Sequence, residues 1–120
     1  MIKNKITDYK DLDVWKKGVE IVELIYKNTK DFPDEEKFGL IAQMRRAAVS
    51  IPSNIAEGFR RRYNKEFKQF LHIALGSCAE LETQIIISKK LEYINEEFKN
   101  TILTNTDHLG RMLTNFIKKL

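Results

Sequence analysis

At 120 residues, with 42% hydrophobic and 32% charged side chains, the chain is sized for one domain that buries about two thirds of its unfolded surface, which excludes a disordered segment. One cysteine allows no internal disulfide, and no uninterrupted apolar run approaches the roughly 18 residues of a membrane span. The opening MIKNKITDYKD lacks the apolar core of a signal peptide, so a cytoplasmic protein with no membrane partner is the expectation, and its net charge of +4 permits a polyanionic partner without demanding one.

Four stretches carry helical periodicity, and almost nothing reads as strand. The first, about 9–30, repeats Leu12, Trp15, Val19, Val22 and Tyr26 three and four apart, with Asp8 or Asp11 available to cap its start. Phe32-Pro33 ends it. Asp34, Glu35 and Glu36 suit the positive end of a helix dipole and open the second stretch, about 34–61, which Gly58 and the following arginines close.

Within that second stretch Ile41, Met44, Ala48, Ile51, Ile55 and Phe59 form one apolar face, flanked by a polar stripe of Gln43, Arg46, Ser50, Asn54 and Glu57. Pro52 removes a backbone donor there and costs a helix interior roughly 3 kcal/mol. The apolar phase does not slip across it, so the expectation is one long helix kinked at Pro52.

Asn64 is the expected cap of the third helix, about 65–91. Its Phe67, Leu71, Ala74, Cys78, Leu81, Ile85 and Ser88 step four and three apart as a heptad seam. Asn95-Glu96-Glu97 starts the fourth, about 96–119, where Phe98, Ile102, Asn105, Leu109, Met112 and Phe116 repeat that step with Asn105 as its polar break. Short connections make successive helices antiparallel. The expected fold is all-α: a single domain over 1–120, an antiparallel up-down-up-down four-helix bundle. Val14, Ile21, Leu24 and Ile25 on helix one and Ile73, Leu75, Ile86 and Ile87 on helix three exceed what four core stripes require. That surplus points to a closed homo-oligomer; the alternative is wider buried stripes with a few exposed isoleucines.

Several blocks also carry a resemblance. QMRRAAVSIPSNIAEG at 43–58, preceded by Phe32-Pro33 and Phe38-Gly39-Leu40, is similar to the signature of the bacterial 23S rRNA intervening-sequence proteins. Asp11-Leu12-Asp13-Val14-Trp15 upstream and FLHIALGSCAELET at 70–83 downstream match the same family, so the resemblance covers about residues 9–117. It implies a four-helix bundle that assembles as a homopentamer. It also implies a nucleic-acid context: family genes lie within 23S rRNA intervening sequences, and relatives are nucleic-acid-binding accessory variability proteins of diversity-generating retroelements. Cys78 stands where that family usually has a leucine.

The chemistry of an enzyme is missing from the sequence. Gln69 and Asn105 stand three before His72 and His108, so the Glu-x-x-His pairs of a di-iron bundle are absent, as is any zinc-type cluster. His72 and His108 read as seam-edge histidines and Cys78 as a buried, inert thiol. Ser50, Ser53 and Ser77 have no histidine at helical spacing, no arginine lies four to six residues before either histidine as in helical toxin-type ribonucleases, and no glycine-rich phosphate loop exists. No cofactor and no metal are expected.

Two polar constellations remain. Arg45, Arg46, Ser50, Asn54, Glu57 and Glu80 form a candidate structural network, in which either arginine pairs with Glu80 or Glu57 within the fold or across a subunit boundary. Arg60, Arg61, Arg62, Lys65 and Lys68 cluster at the turn between helices two and three. Lys118 and Lys119, with Arg111 two turns below, run toward the same end. Such cations serve helix dipoles and solubility, or, repeated around the rim of an oligomer, contact phosphates. Tyr63 beside them is available to stack on a base or to pack on its own helices. The leading expectation is a non-enzymatic oligomer that binds structured RNA or RNA–DNA through this rim. The alternative is a protein–protein adaptor whose apolar surplus docks a protein partner.

Overall fold

Glu36 ties both loops at one end of the molecule together. Its carboxylate accepts the Leu40 N–H at 3.1 Å and the Tyr93 hydroxyl at 2.9 Å. The computed structural model describes residues 6–120; residues 1–5 of the opening segment, which was not expected to be a signal peptide, lie outside the described residues. A 3-10 turn at Tyr9–Asp11 precedes α1 (Asp13–Asn28), and a second at Asp34–Glu36 precedes α2 (Leu40–Phe59). Then come α3 (Asn64–Lys90) and α4 (Glu96–Lys118), with no strand among the described residues. The four pack as an antiparallel up-down-up-down bundle, 46 × 24 × 19 Å.

The helix starts differ from the sequence expectation in an instructive way. Asp8 accepts the Lys10 N–H and so caps the 3-10 turn, while Leu12 stands at the cap position of α1. Asp34, Glu35 and Glu36 form their own turn, and α2 begins only at Leu40. The acidic signal acts on α2 from outside it, through the Glu36 carboxylate on the orphan N–H of Leu40. At the last helix the expected signal is direct: Asn95 accepts the Phe98 N–H at 2.7 Å and caps α4.

α2 runs unbroken through Pro52, which is buried against α1. All seven residues of the α3 seam, Phe67 to Ser88, are buried, and α4 adds Ile102, Leu109 and Phe116 from its own seam. Each fully buried Ile, Leu or Phe contributes about 1.5–3 kcal/mol of transfer free energy. Asn105, the polar break in α4, accepts a hydrogen bond from Lys17 of α1 and so marks the α1–α4 edge.

The phase of α1 is corrected by the packing. Its buried face is Val14, Gly18, Ile21 and Ile25, whereas Trp15, Val19 and Val22 are half-buried flank and Tyr26 is exposed. Three of the four residues counted as surplus on this helix are therefore core. On α3 the surplus stays outside: Ile73, Ile86 and Ile87 are exposed. By length and composition α3 is also long and apolar enough to cross a membrane, although polar residues interrupt its apolar run. Between Lys68 and Lys89 its only charges are Glu80 and Glu82. In this fold that apolar content is divided between the core and the exposed isoleucines.

Candidate nucleic-acid interface

The α2–α3 turn is built on aromatic rings. Phe59 at the end of α2 meets Phe67 of α3 edge-on at 5.9 Å, and Phe67 meets Phe116 of α4 at 5.5 Å. Those two contacts fix the last turns of α2 and α4 beside the first turn of α3. Gly58 permits the approach, because a Cβ there would lie 2.5 Å from Phe70 Cβ.

This packing brings Arg60, Arg61, Arg62, Lys65 and Lys68 to the same end of the bundle as Lys118 and Lys119. Each arginine lies over a different ring: Arg60 over Tyr9 at 5.5 Å, Arg61 over Phe70 at 4.8 Å and Arg62 over Tyr63 at 5.5 Å. Stacking of this kind is worth about 0.5–1 kcal/mol at exposed sites. A cation over a ring face keeps N–H donors that can still meet an acceptor. Arg61 also pairs with Glu57 at 3.2 Å. Arg60, Arg62, Lys65, Lys68, Lys118 and Lys119 make no ion pair with a described residue. Asp8, Asp11 and Asp13 border this end at the start of α1, so the basic surface is bounded on that side.

Arg111 stands two turns below Lys118 on α4. It pairs with Asp107 at 3.2 Å and lines a groove of about 410 Å³ between α3 and α4, with Leu75, Cys78, Ala79 and Glu82. Its charge is locally offset and its surroundings differ from those of the turn.

The expected polar network is divided among several partners. Arg45 donates to Thr29 Oγ1 at 3.0 Å and lies 4.5 Å over the Tyr26 ring, which commits it to α1. Ser50 donates to the Ala47 carbonyl and accepts from the Ser77 hydroxyl across the α2–α3 seam, and Asn54 donates to the Ser50 carbonyl at 2.7 Å. Glu57 takes Arg61. Arg46 and Glu80 are exposed, and neither has an ion pair or hydrogen bond with a described residue.

His72 and His108 are exposed, and no three His, Cys, Asp or Glu side chains converge among the described residues in a way that would hold a metal ion. Cys78 is buried, and that burial, aided by the nearby Glu82 charge, pushes its thiol up to about 12. It is poorly suited to nucleophilic work.

Two features had no sequence signal. Phe38, in the loop before α2, is 89% exposed. The rings beneath Arg60 and Arg61 come from Tyr9 and Phe70, and only the folded chain brings Tyr9 to the turn.

No curated protein matches the chain at a significant level. Among solved structures it is similar to a protein of unknown function from the S23 ribosomal protein family of Bacteroides thetaiotaomicron, whose crystal structure was determined at 1.70 Å. The two are 27% identical and superpose with a TM-score of 0.79, over 88% of this chain and 98% of that one. The likeness therefore spans all four helices rather than one hairpin. The family model for the 23S rRNA-intervening sequence protein matches residues 10–115, from the turn before α1 to the last turns of α4, and the chain belongs to that family.

Proposed function

We propose that this protein is a non-enzymatic, self-associating helical bundle that binds structured RNA, or an RNA–DNA duplex, through its basic end. The observation that carries the reading is the set of three arginines, each stacked over a ring, beside four lysines free of ion pairs with described residues. Such a surface offers phosphate contacts without any group arranged to read a base, so its affinity is electrostatic and depends on structure more than sequence. The family's name ties its members to 23S rRNA intervening sequences, which makes a structured RNA the first ligand to try. The kinship with accessory proteins of diversity-generating retroelements that the sequence resemblance implies makes an RNA–DNA hybrid the second. Self-association, as the ring of five that the family resemblance implies, would repeat the basic end around one rim and multiply weak contacts.

Fluorescence anisotropy of a labelled RNA hairpin tests this. Affinity should fall by about a thousandfold between roughly 50 and 200 mM salt if the rim engages six or more phosphates. Binding that is absent, or indifferent to salt, removes the proposal. Salt-indifferent capture of a protein would instead favour the adaptor reading, which draws its support from the exposed Phe38.

A further inference from the structure

We infer that the exposed surface around Phe38 of one copy docks on the α3 line Ile73, Glu80 and Ile87 of a second copy of this chain. The inference rests on the self-association proposed above and names the two surfaces that meet.

The first surface is a fixed aromatic knob. Phe38 is 89% exposed, yet its loop is held by the Glu36 carboxylate on Leu40 and Tyr93 and by Phe32 packed against the Tyr93 ring at 5.4 Å. Tyr26, Ile41 and Val49 give it an apolar floor. Lys37 and Arg46 beside it are cations without a carboxylate partner among the described residues. A large apolar side chain on a loop already tied down loses less backbone entropy on docking, which suits an interface anchor.

The second surface is complementary in charge. Ile73, Glu80 and Ile87 recur at seven-residue spacing and so share one line on α3, with Ile73 50% and Ile87 42% exposed. Glu82 already accepts the Thr106 hydroxyl at 2.7 Å, whereas Glu80 has no partner among the described residues. Next to this line the buried Gln84 carries a side-chain oxygen without a donor among the described residues. One surface is thus apolar with unpaired cations. The other is apolar with an unpaired carboxylate, on a helix whose middle carries only negative charge.

Because the surfaces are unlike, the contact is head-to-tail, and each copy uses one of each. They lie on neighbouring sides of the bundle. Phe38 is on the α1–α2 side, and the α3 line follows the α2–α3 seam that Ser50 and Ser77 bridge. Successive copies therefore turn at each step, which favours closure into a ring. Phe38 stands at the opposite end of α2 from Arg60, Arg61 and Arg62, so the aromatic knob leaves the arginines open.

Size-exclusion chromatography with light scattering tests the pairing on the wild type, on Phe38→Glu, on Ile87→Glu and on their equimolar mixture. Circular dichroism melts confirm that each variant folds; Ile73→Glu replaces Ile87→Glu if that variant does not. The expected result is an oligomeric wild type, single chains for each variant, and a species of two chains in the mixture, since the mixture retains one intact pair of surfaces. A variant that keeps the wild-type mass, or a mixture that stays as single chains, overturns the pairing while self-association stands. A wild type that is itself a single chain overturns both.

Discussion

Gly18 of α1 lies so close to Pro52 of α2 that a Cβ at position 18 would stand 3.3 Å from Pro52 Cδ and 3.4 Å from Ile51 Cγ2. The proline that lacks a backbone donor thus gains a tight contact with the neighbouring helix. Both groups are buried, and the pyrrolidine ring has no rotamer by which to yield. Gly18→Val is therefore expected to destabilise the bundle by about 1–3 kcal/mol through overpacking. Gly18→Ala should change little, because about 1 kcal/mol of helix propensity offsets the crowding. Urea denaturation of the two variants against wild type measures the difference. A valine variant as stable as wild type would mean that α1 can move away from Pro52 without cost.

The same pair shows where the sequence was legible and where it was not. The α3 seam was readable in full, because one apolar line at heptad spacing stood out from polar neighbours. α1 carries two apolar lines, and counting large side chains favours the one through Trp15 and Val19. The buried line runs through Gly18, which scores nothing as a hydrophobe yet meets Pro52 of α2 closely. At the candidate site, the arginine cluster was legible because its members are consecutive, and the lysines of α4 followed from topology alone. Arg111 was placed two turns below the α4 lysines from spacing, but its pairing with Asp107 and its place in the α3–α4 groove were not legible there. Phe38 was invisible for the complementary reason: its exposure is set by the loop that carries it, not by its own hydrophobicity.

Glu92, between α3 and α4, has φ of 64°, in the left-handed region where a side chain is disfavoured. The turn is the usual helix stop, with the Tyr93 N–H reaching the Ser88 carbonyl at 2.9 Å. Glycine meets that backbone shape without the Cβ penalty. Glu92→Gly should raise stability by about 0.5–1 kcal/mol, a gain of a few degrees in melting temperature. A lower melting temperature would show that the carboxylate makes up for its backbone strain.

Cys78 offers a chemical check on the core. Its thiol is pushed up to about 12 from an ordinary value of 9.0, first by burial and second by the Glu82 charge. At pH 8 the folded protein should react with a thiol reagent at least about a thousandfold more slowly than the unfolded chain, from thiolate population alone. The linkage follows with a definite sign. The folded thiol keeps a proton that the unfolded thiol releases, so this stabilisation is complete below about 9 and is lost as pH rises toward 12. Cys78→Leu should abolish both effects. It should also stabilise the fold, by about 1 kcal/mol, since the larger side chain has the α3–α4 groove to grow into. Rapid modification of the native protein at pH 8 would contradict the burial.

The basic end makes a demand on two arginines of equal formal charge. Arg62 stacks on Tyr63 and has no carboxylate partner among the described residues, so it can neutralise a phosphate and release a counterion. Arg111 already has Asp107 at 3.2 Å and faces another groove. Arg62→Gln should weaken binding of the RNA hairpin and lower the salt slope by about one, whereas Arg111→Gln should leave both nearly unchanged. Lys118→Gln and Lys119→Gln should behave like Arg62→Gln, because the Phe67–Phe116 contact brings the end of α4 to the same surface. If the α4 lysines had no effect while Arg62→Gln did, the ligand would contact the turn alone. If Arg111→Gln matched Arg62→Gln, net charge rather than a surface at one end would govern the affinity.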